Sequence, residues 1–371
     1  MPDNVVICGG GVIGGAIAYY LAKRGVAATI IESDAIAAGA SGGAAGLLSP
    51  PSPHTSDTPV YELQRRGFDM HMELGEVLPA ESGVDYGFAR SSRVSLAVTE
   101  EEEANARATI DALTSAGRES RWLDPSELHE VTEWIDGGTA RGAALLDGGG
   151  YVDAYRYSLA LVTAAERMGA TVRSGKVSGV ETQDGRASGV RVGDEVVPAD
   201  VVVIAMGPWS SEASDWLGLR VPVEPLKGQI VKVRPPRALP IWQFGHGGNY
   251  GIAKSADVVF LGTTEERTGF DVGTTTEARD EILEFGVGFA SELEGAELIE
   301  QTACLRPLSE DGVPIMGRVP GIEGAFVATG HGRQGILQSP PSGLAMAELI
   351  LNGETRVLDM TPFDPARFGP A

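Results

Sequence analysis

The sequence predicts an α/β fold, α+β over the whole chain, in which a parallel-sheet domain is interrupted by a second, discontinuous domain of antiparallel strands. Three observations predict it. Val5 to Glu32 reads as strand, glycine turn, helix and strand. Asp200 to Ala205, Asp-Val-Val-Val-Ile-Ala, is a second apolar run fit for a buried strand, and it runs into a glycine turn, Met206-Gly-Pro-Trp-Ser210. Between and after them the pattern changes to amphipathic helix and alternating strand, then returns to buried parallel strand.

The first unit is the most specific. The strand Val5 to Cys8 meets Gly9, Gly11 and Gly14 in the spacing Gly-x-Gly-x-x-Gly. A helix follows and stops near Gly25, and a second apolar strand ends on Glu32. Gly9 permits the tight turn, Gly11 lets a pyrophosphate approach the backbone, and Gly14 lets helix and strand pack closely. The helix N-terminus offers free N–H groups and a partial positive charge to phosphate. Glu32 stands where an acid accepts hydrogen bonds from a ribose diol. With strand, helix, second strand and acid all in place, the unit is Rossmann-like and binds a dinucleotide.

Gly39 to Pro53 is rich in glycine, alanine, serine and proline and reads as a loop and short helix against that ligand. Helical stretches follow at Val60 to Leu78 and Glu100 to Ala116, whose acidic run Glu100 to Glu103 is a solvated helix start. Asp124-Pro125-Ser126-Glu127 starts another helix, with a capping Asp, Pro in the first turn and Glu three on. Asp153 to Met168 reads as helix, Thr171 to Ser174 as strand, and Val177 to Val197 as hairpin strands around Gly185. Residues 223–304 are strand-rich, with Gly228 to Arg234, Val258 to Gly262 and one helix, Glu277 to Leu293. Ala325 to Ala328 is a strand, residues 330–335 a loop, and Ser339 caps a last helix with Pro340 at its first position, ending at Asn352-Gly353. The expected division is 1–59, 150–222 and 305–371 for the dinucleotide-binding domain, and 60–149 with 223–304 for a substrate domain.

The chain has 371 residues, comfortable for two domains, and a net charge of −22 that argues against nucleic acid and anionic membranes as partners. An anionic substrate therefore needs local cations to override a repulsive field. Cys8 and Cys304 give no disulfide framework and fit a reducing compartment. The start, Met-Pro-Asp-Asn, lacks a basic stretch, so the apolar residues after it are a first strand and not a signal peptide, and no apolar run is long enough to cross a bilayer. The expected location is the cytoplasm. The five histidines, 54, 71, 129, 246 and 331, show no metal spacing and no metal is expected; His331 belongs with the loop around it.

The motifs together resemble the FAD-dependent amine and amino-acid oxidoreductases, the family of glycine oxidase, D-amino-acid oxidase and dehydrogenase, and sarcosine oxidase. The resemblance covers essentially the whole chain. It rests on the fingerprint with Glu32, on Ala40 to Leu48, on Asp200 to Ser210, on Arg306 to Gly317 and on Gly330 to Leu337. It implies FAD extended across the first domain, with its ring at the domain boundary. Glu32 would hold the adenosine ribose, and Gly11, Val12 and Ile13 the pyrophosphate. Ser41, Gly42, Ala45 and Gly46 would line the flavin side. Gly9, Gly14, Val177, Gly207 and Trp209 complete the cofactor contacts. Gly332, Arg333, Gln334, Gly335 and Ile336 would bring N–H groups and a helix N-terminus to the pyrimidine end of the flavin.

On the substrate side the resemblance implies a carboxylate held by Arg306, with Arg333 as a second arginine and the Tyr250 hydroxyl as a third contact. Gly251 is smaller than its counterparts in relatives, and Lys254 stands where they carry arginine. Cys304 lies where sarcosine oxidase attaches FAD covalently; noncovalent FAD is expected, with the Cys304 link as the alternative. The implied reaction oxidises the C–N bond of a small amino acid or N-alkyl glycine (glycine, sarcosine or a D-amino acid) by hydride transfer to flavin N5. The resulting imine hydrolyses to an oxo acid, and no protein base is obligatory. Oxygen or another acceptor takes the electrons. The alternatives are a D-amino-acid dehydrogenase with a non-oxygen acceptor and a flavoprotein subunit of a hetero-oligomeric amine dehydrogenase. More remote are an NAD-dependent dehydrogenase, which shares only the first fingerprint, and a serine hydrolase reading of Gly39-Ala-Ser-Gly-Gly43, which lacks the strand directly before Ser41.

Overall fold

The structure is a computed structural model, and it describes residues 2–52, 55–115 and 117–371. Pro53, His54 and the predicted helix end at Ala116 lie outside the described residues. The chain opens with β1 (Val5–Cys8), α1 (Val12–Ala22) and β2 (Ala28–Glu32), followed by α2 (Ala40–Gly43) and β3 (Leu47–Leu48). Next come α3 (Tyr61–Ser82), β4 (Ala89–Ala97), α4 (Glu100–Ser115), β5 (Ser120–Leu123), α5 (Pro125–Thr132) and β6 (Gly142–Tyr151). The chain then forms α6 (Ala154–Arg167), β7 (Thr171–Ser174), β8 (Val177–Gln183), β9 (Arg186–Val192), β10 (Glu195–Pro198), β11 (Val201–Ile204) and α7 (Ser214–Leu217). The last part is β12 (Val223–Arg234), β13 (Gln243–His246), β14 (Asn249–Ser255), β15 (Val258–Gly262), α8 (Thr276–Phe289), β16 (Glu297–Ser309), β17 (Ile315–Arg318), β18 (Ala325–Thr329) and α9 (Gly335–Asn352).

The capping signals act as their chemistry requires. Asp124 and Glu127 close a capping box on α5, and Asp153 accepts from the Arg156 N–H at 3.0 Å to start α6. The last helix departs from expectation. It begins at Gly335, so Ser339, Pro340 and Pro341 lie inside it rather than at its cap. A short 3-10 turn, Gly332–Gln334, leads straight into it, and the Ser339 hydroxyl bonds back to the Ile336 carbonyl at 2.8 Å instead of capping.

The first sheet runs β17-β18-β11-β1-β2-β7, parallel throughout except for β17. Its strands alternate between two cores. Val5, Ile7 and Val203 pack against the helical layer of α1, α6 and α9. Val6, Cys8, Val202 and Ile204 face the small β10-β9-β8 sheet with Val177 and Val190. Burial on both faces explains the continuous apolar runs. At the end of β1 the chain must turn between two neighbours. Gly9 has φ 112°, and a Cβ there would collide with the Ala205 carbonyl oxygen.

The second sheet runs β16-β12-β15-β14-β13-β4-β6-β3, with β5 paired to β6. One face carries the core of Val94, Leu96, Val231, Val233, Phe244 and Leu261 under α8. The other face turns toward the first sheet. The two long strands β6 and β16 run through the divisions expected near residues 149 and 304, so each carries chain from one region into the other.

Candidate active site

A cleft of about 980 Å³ lies where the carboxyl end of the parallel sheet meets the open face of the second sheet. This is where open α/β sheets take ligands. Gly9, Gly11, Val12, Ile13 and Glu32 line it from the first unit, and Val177, Gly207 and Trp209 from the strand ends beside it. Ser41, Ala45 and Gly46 line it from the α2 segment, and Gly332, Arg333, Gln334, Gly335 and Ile336 from the entry to α9. Tyr250, Cys304 and Arg306 complete it from the second sheet. Gly14 and Gly42 stand behind this surface. A Cβ at Gly14 would strike the Gly9 carbonyl oxygen and one at Gly42 the Ala37 carbonyl oxygen, so both serve close backbone packing.

The dinucleotide end is preorganised. Gly11 caps α1 in extended conformation, and the Val12 N–H donates to Ser41 Oγ at 2.9 Å. That bond places Ser41 in the first turn of the anion-binding helix end, not on a nucleophile elbow. Glu32 closes β2 with its carboxylate held from below, accepting from the Gly10 N–H at 2.7 Å and the Asp34 N–H at 2.9 Å. Trp209 is 40% exposed and stacks on Phe270 at 5.5 Å between ring centroids. These features fit FAD: a long cleft, a carboxylate fixed at a strand end for a diol, and a glycine-lined helix N-terminus for phosphates.

His331 sits at the entry to α9 and lines the cleft. Its Nε2 lies 3.0 Å from Ser342 Oγ, its Nδ1 has no partner among the described residues, and burial pushes its pKa down to about 3. It is neutral at physiological pH.

The opposite end is built on a row of register partners. Gly245 on β13, Tyr250 on β14, Gly262 on β15 and Ile230 on β12 stand side by side and share the face toward the cleft. Arg306 projects from the same face of β16, opposite Leu226. Its guanidinium lies across Gly228, where a Cβ would occupy the same space. Arg306 is 8% exposed and donates to the Thr264 carbonyl at 2.9 Å and Thr263 Oγ1 at 2.6 Å, and it has no carboxylate partner among the described residues. Burial pushes its pKa below the ordinary guanidinium value. Tyr250 is buried beside it, which raises the phenol, while the Arg306 charge acts the other way.

Arg333 sits differently. It pairs with Glu265 at 3.0 Å and donates to the Gly248 carbonyl at 2.7 Å, so its charge already has a partner. Lys254 does not line the cleft. Its ammonium donates to the Val152 carbonyl at 2.8 Å beneath Phe260, and burial lowers its pKa to about 8. Gly251 is small because the Phe244 ring fills the space a side chain would need. Cys304 lines the cleft against Gly43, with its thiol pushed up by burial. Arg93, Ser49, Asn249 and Thr263 also line the cleft, and sequence reading did not single them out. Val94 and Leu96 are core residues, so strand alternation alone assigns Arg93 to the other face; what that face meets is long-range information.

Comparison with known proteins agrees with this geometry. The model of the family of FAD dependent oxidoreductases matches residues 4–349. The chain is 32% identical to a glycine oxidase of Geobacillus kaustophilus over 98% of this chain and 97% of that protein. The crystal structure of glycine oxidase from Geobacillus kaustophilus superposes with a TM-score of 0.92 at 31% identity, covering 99% of this chain and 98% of that one. Iminodiacetate oxidase from Chelativorans sp. BNC1 superposes with a TM-score of 0.87 at 29% identity, covering 97% and 98%.

Proposed function

The chain belongs to the FAD-dependent oxidoreductase family, is an enzyme that oxidises the C–N bond of an amino acid, and from that premise we propose how its residues divide the work. Glu32 holds the adenosine ribose. Gly11, Val12 and Ile13 hold the pyrophosphate at the start of α1, with Gly9 and Gly14 shaping the turn beneath. Ser41, Ala45, Gly46, Val177, Gly207 and Trp209 enclose the remainder, with Gly42 packed behind them. The N–H groups of Gly332 to Ile336 meet the pyrimidine end of the flavin, where charge develops on reduction. When bound, FAD supplies the acceptor for the pair of electrons and the hydrogen taken from the substrate carbon.

Arg306 binds the substrate carboxylate. The carrying observation is that this guanidinium faces the cleft and, among the described residues, is hydrogen-bonded to two neutral oxygens and forms no ion pair, so an anion completes it. Tyr250 directs its hydroxyl to the same carboxylate, and Arg333 with Glu265 closes the mouth beside it. With the carboxylate fixed, the carbon bearing nitrogen is held in one orientation, which is the chief contribution the protein makes. The amine reacts in its neutral form, and no side chain need remove its proton. The raised Cys304 thiol favours noncovalent FAD, since a protonated thiol is a poor nucleophile. Oxygen or another acceptor takes the electrons, and the free cysteines fit a cytoplasmic enzyme. No described helix is long and apolar enough to cross a membrane.

The test is anaerobic reduction of the yellow holoenzyme. Glycine, sarcosine or a D-amino acid bleaches the flavin. In Arg306→Ala, kcat/KM falls about 30- to 1,000-fold, the cost of leaving a carboxylate without its buried partner. Equal bleaching of variant and wild type at low substrate would sink the carboxylate clamp.

A further inference from the structure

We propose that Arg93 forms a second anion subsite, so that the substrate is an amine carrying two carboxylates, one held by Arg306 and the other by Arg93. The proposal rests on the reading of Arg306 as a carboxylate clamp and names the substrate class of that same site.

Arg93 lies on β4 and lines the cleft. Its strand neighbours Val94 and Leu96 enter the core, so its side chain leaves from the face that carries Tyr250. The guanidinium extends over β13 at Gly245, where a Cβ would stand 2.5 Å from Nη2. A guanidinium has five N–H donors. Among the described residues this one makes a single hydrogen bond, from Nη1 to Ser49 Oγ at a long 3.4 Å, and forms no ion pair. Burial and the like charge of Arg333 push its pKa below the ordinary value. A half-buried cation without a charged partner is costly, and such positions are retained where a ligand supplies the missing charge.

The register fixes where that ligand reaches. Gly245 and Gly262 are the two strand neighbours of Tyr250. The Arg93 guanidinium lies over Gly245, and the Arg306 guanidinium bonds Thr263, the residue after Gly262. The Arg306 guanidinium also lies across Gly228 on β12, so two to three strand spacings of about 4.8 Å separate these ends, roughly 10 to 14 Å, on either side of Tyr250. Charge-assisted contacts of about 2.8 Å at each end leave room for a short dicarboxylate between them. A secondary amine with a carboxylate on each arm fits this span, with its nitrogen near the middle. The phosphate end of the cleft is not the partner of Arg93, because its neighbours Ser49, Gly245 and the Tyr250 row belong to the opposite end.

The test uses holoenzyme and two inert ethers, oxydiacetate with two carboxylates and methoxyacetate with one. Isothermal titration calorimetry is expected to show oxydiacetate binding about 30-fold or more tightly. Arg93→Met is expected to bring the two ligands within about 3-fold of each other. Gly245→Ala keeps the charge but displaces the guanidinium, and carries the test if Arg93→Met fails to fold. In steady state, the ratio of kcat/KM for iminodiacetate over sarcosine falls by the same factor in both variants. Equal affinity of the two ethers in wild type, or a preference that survives both variants, overturns the subsite. Bleaching by sarcosine without any two-carboxylate preference overturns the subsite alone. Arg93-dependent binding of oxydiacetate without bleaching by any amine supports the subsite and overturns the proposed reaction.

Discussion

At the residue scale, His71 shows how one buried side chain couples packing to pH. It is 0% exposed, and its Nε2 lies 2.8 Å from the Ile336 carbonyl oxygen. A carbonyl only accepts, so Nε2 carries the proton and Nδ1 is bare, with no partner among the described residues. Protonating Nδ1 would bury a charge with nothing to receive it, and burial accordingly lowers the pKa to about 4 from 6.5. In the unfolded chain the same histidine takes a proton at the higher pH. Between these values the unfolded state binds more protons, so stability is full above about pH 6.5 and is lost as pH falls toward 4. At pH 5 the loss from this residue is on the order of 2 kcal/mol. The check is the urea midpoint of wild type and His71→Gln at pH 7 and pH 5. The wild-type midpoint should fall more steeply, since the variant no longer carries this proton uptake.

At the element scale, α9 explains both a departure from sequence expectation and the architecture around the cleft. Proline at a first turn is the usual reading of Ser-Pro-Pro, yet here the pair lies in the second turn. Pro340 and Pro341 remove the N–H groups that would have reached the Ile336 and Leu337 carbonyls. The tertiary fold supplies substitutes. His71 of α3 donates to Ile336, and α3 comes so close at Gly67 that a Cβ there would collide with the Leu337 carbonyl oxygen. No local pattern reveals partners on a helix more than two hundred residues away. The helix end was legible, because Gly353 in the left-handed region stops it by a local rule. The expected outcome for Gly67→Ala is a loss of about 1–3 kcal/mol as the helices are forced apart, read as a lower Tm with flavin still bound at low temperature. An unchanged Tm would mean that the two helices separate without cost.

At the scale of the whole molecule, the centre of the parallel sheet was legible because β1, β2, β11 and β18 are apolar runs, and the fingerprint orders the first three elements by chemistry. The second sheet was legible as strand-rich sequence but not in its order, since β16, β12 and β4 come together only through long-range pairing. Alternation with Val94 and Leu96 turns Arg93 to the cleft face, but that this face meets β13 at Gly245 is set by long-range pairing. The site therefore emerged in halves: Glu32, Arg306 and the α9 entry from motifs, and Arg93 and Thr263 from the fold. Charge ties the halves together. The chain carries −22 overall, yet its cleft presents the buried Arg306 and the half-buried Arg93, neither of which forms an ion pair among the described residues. A dianion approaching from solvent meets the repulsive field first and the cations last. The outer field extends about 30 Å at 0.01 M salt and about 10 Å at 0.1 M, whereas the buried cations are screened far less. Raising salt from 0.01 to 0.1 M should thus speed association of oxydiacetate about 2- to 5-fold in stopped-flow traces of the flavin spectrum, and speed methoxyacetate less. A slower association at higher salt would mean that the arginines, and not the surface, govern the approach.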